Sequence, residues 1–119
     1  MATLAHQSTA NQVSFGQLGS VYTKSGSAKI IPPTGKVFVA ITFFEDTKFD
    51  SSRGLIAEEA TVYFNTEDAA NDKSSADGEE GSGGLQISNT VVFPKGITIY
   101  GRYTEIDIDT GSCIAYISA

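Results

Sequence analysis

The chain has 119 residues, 14 Asp and Glu against 8 Lys and Arg, a formal net charge of −6, 40% hydrophobic residues and no tryptophan. That length bounds one domain with a real core, of a size that often leans on partners. The acid excess opposes the basic face that nucleic-acid binding needs, and the single cysteine, Cys113, excludes an intrachain disulfide.

Residues 1–12, MATLAHQSTANQ, are small and polar and read as a flexible N-terminal arm that orders only against something else. They hold no early Lys or Arg and no apolar run of signal-peptide length. Nowhere does the chain reach the roughly 20 apolar residues of a transmembrane helix. The expectation is a soluble chain made in a cytoplasm, with no membrane partner. Residues 13–119 are predicted to form a single domain. Val13 to Gly16 begins a strand, and Ser20–Lys24 and Ser27–Ile31 pair around a tight turn at Ser25-Gly26. Pro32-Pro33-Thr34-Gly35 then breaks the chain, with two fixed φ angles before a residue free to take φ > 0.

Val37–Glu45, VFVAITFFE, is the most apolar segment and the predicted central strand. Simple alternation places Val37, Val39, Ile41 and Phe43 on one face and Phe38, Ala40 and Phe44 on the other, so both faces call for burial. Thr47–Asp50 adds a short edge piece. Gly54–Glu58 and Thr61–Asn65 are the next strands, TVYFN the clearer of the two. Residues 66–84, TEDAANDKSSADGEEGSGG, set Glu67, Asp68, Asp72, Asp77, Glu79 and Glu80 against one Lys73 and contain no large apolar side chain. Such a stretch buries too little to fold alone and reads as one long acidic loop.

Strand character resumes at Leu85–Ser88 and Thr90–Phe93, and Phe93–Ile117 closes the chain as a long predicted β-hairpin turning at Asp109-Thr110-Gly111. In its first arm Ile97, Ile99 and Tyr103 share one parity while Ile106 and Ile108 have the other. A period of two that changes phase needs an extra residue, and Gly101 suits a bulge. After Gly111, Cys113, Ala115 and Ile117 alternate with Ile114 and Tyr116, so this strand too is apolar on both faces. The whole is an all-β chain of about eight strands, an antiparallel β-sandwich with the jelly roll as its variant.

Reactive chemistry is sparse. His6 is the only histidine and sits in the polar arm, so Cys113 and the serines have no ordered general base, and a histidine zinc site is excluded. Cys113 reads as a small apolar core residue. Asp107, Asp109 and Gly111 resemble the start of a calcium loop, without its downstream bidentate glutamate. Asp77, Glu79 and Glu80 are close enough in sequence to hold a cation, though a charge run is normally a solvated face. Glycoside hydrolysis would need two strand-borne acids in an aromatic cleft, and Glu45, Glu105 and Asp107 are candidates by type only. Five tyrosines and seven phenylalanines fit core packing better than a sugar platform. Arg102, between Tyr100 and Tyr103, suits stacking or an interface salt bridge. No catalytic, cofactor-binding or metal-binding residue is assigned, and no enzymatic activity is expected.

Two stretches, PPTGKVFVAITFFEDTKFD at 32–50 and FPKGITIYGRYTEIDIDTGSCIAYI at 93–117, resemble small virion proteins of tailed bacteriophages, especially marine and cyanobacterial phages. Gly54-Leu55-Ile56-Ala57-Glu58 lies between them in the same order, and the similarity covers about residues 20–65 and 85–117, leaving out the arm and the acidic loop. The resemblance implies a non-enzymatic virion structural protein, a capsid decoration or cement protein. It further implies a homotrimer seated on the major capsid protein and stabilising the shell. A tail- or fibre-associated adhesin with a carbohydrate-binding β domain is the alternative it leaves open.

Overall fold

Val37–Phe43, here β2, is the most apolar strand, with apolar groups on both sides, and it occupies the middle of the principal sheet. The computed structural model describes residues 18–51, 53–59, 62–66 and 86–119. The remaining strands are β1 (Ser20–Lys24), β3 (Lys48–Phe49), β4 (Leu55–Ala57), β5 (Thr98–Ile106), β6 (Ile108–Thr110) and β7 (Ser112–Ser118). β1, β7, β2, β5 and β4 form, in that order, a five-stranded sheet, and β3 and β6 form a two-stranded one. Every pairing is antiparallel. The described residues contain no helix.

The predicted terminal hairpin is not formed. β5 and β7 do not pair; β2 lies between them and pairs with both. Gly111 takes the expected positive φ, 100°, but Asp109 and Thr110 belong to β6, which pairs with β3, so the glycine joins β6 to β7 instead of closing a hairpin. A Cβ at Gly111 would collide with Thr47, so this crossing also needs a bare backbone. The reason lies in β2, whose nearly continuous apolar run gains a covering neighbour on each edge in this order. Between them the chain leaves the sheet at Asp107, buries Ile108 from the second layer and returns.

Register accounts for the change of phase in β5. Phe38 faces Tyr103 and Ala40 faces Tyr100, so Gly101 and Arg102 together oppose Val39. This is a β-bulge, at the glycine the sequence singles out. A Cβ on Gly101 would lie 2.6 Å from the Tyr103 ring, which lies across the glycine. Val39 is itself the extra residue against β7, where Phe38 pairs with Ile117 and Ala40 with Tyr116. Simple alternation along β2 is thereby corrected: Phe38 joins Ile41 and Phe43 in the core.

Other expected strands are absent. Ser27–Ile31 contributes only a bridge from Ile30 to Ile106, and Thr90–Phe93 only one from Phe93 to Thr47. In TVYFN, Val62 is exposed while Tyr63 and Phe64 both turn onto the core, against Tyr103 at 6.4 and 5.8 Å between ring centres. Two neighbouring rings serving one side cannot alternate, so no strand forms. The described residues thus hold seven strands where about eight were expected. The inner layer is joined to the sheet by aromatic contacts: Phe43 meets Phe49 of β3 at 5.9 Å and Phe93 at 5.2 Å.

Residues 1–17 and 67–85, which include the predicted arm, the Val13–Gly16 strand and most of the acidic loop, lie outside the described residues. The ends of the latter stretch are held together beside β4. Leu55 N–H donates to Thr66 Oγ1, Thr66 N–H donates to Leu55 O, and Ile87 N–H donates to Asn65 O. The chain therefore leaves and re-enters the fold at one place.

Candidate interaction surface

The acids singled out by the sequence do not converge. Glu105 is buried and accepts two hydrogen bonds from Arg53, at 3.0 Å from Nε and 3.3 Å from Nη2, with Lys29 Nζ at 3.5 Å. A carboxylate so held is a strut between β5 and the 50–54 turn. Glu45 lies toward the other end of the sheet, where it accepts a hydrogen bond from Ser112 Oγ at 2.7 Å. Asp107 links β5 to β6; partial burial, then the charges of Asp50 and Glu105, hold its carboxyl above the usual range. Asp109 is exposed on β6. Among the described residues no three His, Cys, Asp or Glu side chains are placed to hold a metal ion, and no cavity opens. His6, Asp77, Glu79 and Glu80 lie outside the described residues.

Cys113 is fully buried on β7, and burial pushes its thiol up to about 12. It is a core side chain, as its surroundings in the sequence suggest. Arg102 forms a salt bridge within the chain. It donates to Glu58 in a bidentate pair, 2.8 and 3.2 Å, and to the Ala119 carbonyl at 3.1 Å. That hydrogen-bonded pair holds the Glu58 carboxyl below its ordinary value. Tyr103 is the one buried polar group without a hydrogen-bond partner among the described residues. Burial, then Tyr63, holds its hydroxyl above the usual range.

What the structure does assemble is a surface. In an antiparallel sheet, directly paired residues share a face. Tyr22, Ile114, Thr42 and Thr98 form one such line across β1, β7, β2 and β5, and Ser20, Tyr116, Ala40 and Tyr100 form the next. The intervening line, Val21, Ala115, Ile41 and Ile99, faces the core. The two outer lines contain no charged residue. Tyr100 is 70% exposed and Tyr22 56%, and the Tyr22 ring lies 6.0 Å from that of Phe44, itself 47% exposed. Thr42 and Thr98 join their hydroxyls at 2.8 Å. Lys24, paired with Ser112 in the line beside Tyr22, and Arg102, two residues past Tyr100 and paired with Glu58, bring charge to the flanks of the two lines.

Sequence reasoning missed this face as a unit. Its signal was present, since Ile114 and Tyr116 alternate with Cys113 and Ala115, but which tyrosines share a face depends on pairing. The fold and this surface define a small all-β chain with a neutral, aromatic sheet face. No family model, no curated protein and no solved structure matches it. No helix among the described residues is long and apolar enough to cross a membrane.

Proposed function

We propose that this chain is a non-enzymatic structural protein of a tailed-bacteriophage virion, a capsid decoration protein that binds the major capsid protein as a homotrimer and stabilises the shell by subunit contacts. The reading starts from the ordered resemblance of residues 32–50 and 93–117 to small phage virion proteins. One observation supports it most: those two stretches supply every residue of the two neutral outer lines except Ser20 and Tyr22, and on that face Phe44 lies beside Tyr22 and Tyr100 stands 70% exposed. A protein that works by surface complementarity needs such a face. The β3–β6 layer, packed on the sheet through Phe49 and Ile108, is read as the second leaf of a small β-sandwich. Met1 to Phe15 would reach neighbouring subunits or the shell. The acidic 66–84 stretch would project outward, where its negative charge keeps particles apart.

Mass spectrometry and cryo-electron microscopy of purified particles test the proposal. The expected result is this chain in stoichiometric amount on the shell; its absence from intact particles removes the proposal. The exposed tyrosines also favour a second reading, a tail- or fibre-associated carbohydrate-binding domain. A glycan array probed with the isolated protein is expected to give specific binding only if that reading holds.

A further inference from the structure

We propose that the outer face of the five-stranded sheet is where this chain meets a second copy of itself. The inference deepens the self-association part of the proposed function and does not require a shell.

Three observations select this occupant. First, β2 and β7 are apolar on both sides, and the second layer covers only one of them. Ile114 and Tyr116 on the far side are only half-buried and gain their full burial only under another layer. Second, a chain carrying −6 repels its own copies wherever acids face one another. The two outer lines, Tyr22–Ile114–Thr42–Thr98 and Ser20–Tyr116–Ala40–Tyr100, contain no charge, so copies can meet there without opposing acids. A basic partner would instead select the acids elsewhere, and an anionic lipid surface would require more than Lys24 at the rim. Third, the Thr42 and Thr98 hydroxyls hydrogen-bond to each other at 2.8 Å, and no cavity adjoins them. Ala40 and Ile114, between the rings, offer no side-chain donor or acceptor, which suits an apolar protein surface better than a saccharide. Tyr22, Phe44 and Tyr100 are the anchoring rings, with charges at the rim. The same face stacked on both copies closes a pair; the face seated on another patch closes a ring such as a trimer.

Sedimentation equilibrium of the full chain tests this. The wild type is expected at a whole multiple of 12.6 kDa. Tyr100→Glu is expected to weaken association by about 30-fold or more while leaving the far-ultraviolet circular dichroism unchanged, as for an anchoring ring. Val62→Glu, at an exposed position outside the strands and the two outer lines, is the control and is expected to retain the wild-type mass. If Tyr100→Glu does not fold, Tyr22→Ser and Tyr100→Ser together carry the same expectation. A wild type monomeric up to its solubility limit overturns the inference, and so does an oligomer indifferent to Tyr100 and Tyr22. A monomer that binds glycans through Tyr100 reassigns the face to a saccharide. A monomer that associates only after deletion of residues 1–17 reassigns it to the chain's own N-terminus. Absence from virions with the association intact would remove the virion reading and leave this one standing.

Discussion

The two faces of one sheet share a backbone and both carry apolar residues, yet they do different things. On the inner face Ile41, Phe43, Cys113, Ala115 and Tyr103 are excluded from water by the β3–β6 layer and the rings of Phe64 and Phe93. On the outer face Tyr22, Phe44 and Tyr100 keep about half or more of their surface in water. The contrast shows that apolar alternation states a demand for burial, while a covering layer decides whether the chain meets it alone. Inner positions should therefore govern stability, and outer ones association.

The sharpest test of that division is Phe43→Ala. Its ring is 1% exposed between Phe49 and Phe93, and its loss should cost about 3–5 kcal/mol in a denaturant titration. Tyr100→Ala, measured at dilutions where the chain is monomeric, should stay within about 0.5 kcal/mol. Equal effects would break the comparison. Cys113 offers an independent reading, since a thiol buried beside Phe43 should resist alkylation in the wild type and react as the variant opens.

Gly101→Ala should come next. The new methyl would lie against a Tyr103 ring that Tyr63 and Phe64 keep from swinging away, at a cost of about 1–3 kcal/mol. A neutral result would mean that the bulge relaxes without strain. Tyr103→Phe should act in the opposite direction. Removing a buried hydroxyl without a partner among the described residues should raise the unfolding midpoint, by about 1 kcal/mol of stability. Destabilisation would reveal a partner for that hydroxyl.

Asp107, where the chain crosses between layers, should give the smallest effect and one that depends on pH. Its carboxyl is held above the ordinary value in the fold, so the folded state binds that proton more tightly than the unfolded chain. Its contribution favours folding below the unfolded value and is lost as pH rises through the folded one. Asp107→Asn should therefore exceed the wild type in stability at neutral pH, with the advantage shrinking in acid. Thermal melts at several pH values measure this. A wild type more stable than the variant at neutral pH would show that the charged carboxylate has a favourable partner.

Local chemistry was legible wherever a few neighbouring residues decide it. The Ser25-Gly26 turn, the left-handed Gly111, the bulge at Gly101 and the apolar strand from Val37 all follow from side-chain type and backbone freedom within a short window. The TVYFN segment was misread because Tyr63 and Phe64 turn together onto one core, which no local pattern announces. Arg102 meets Glu58, 44 positions away in the chain, a pairing that no local pattern announces. Glu105 looked like a possible general acid until Arg53 and Lys29 were found on it.

The order of residues alone determined that this chain is built of strands, that β2 and β7 demand burial on both sides, and that histidine chemistry has almost nothing to draw on. Only the tertiary structure decided that β2 separates β5 from β7, because strand pairing is a competition among distant segments for the most apolar neighbour. The same competition placed Tyr22, Ile114, Thr42 and Thr98 in one line. Sequence distance carries no information about that line, since hydrogen bonds between strands join backbones whatever their side chains.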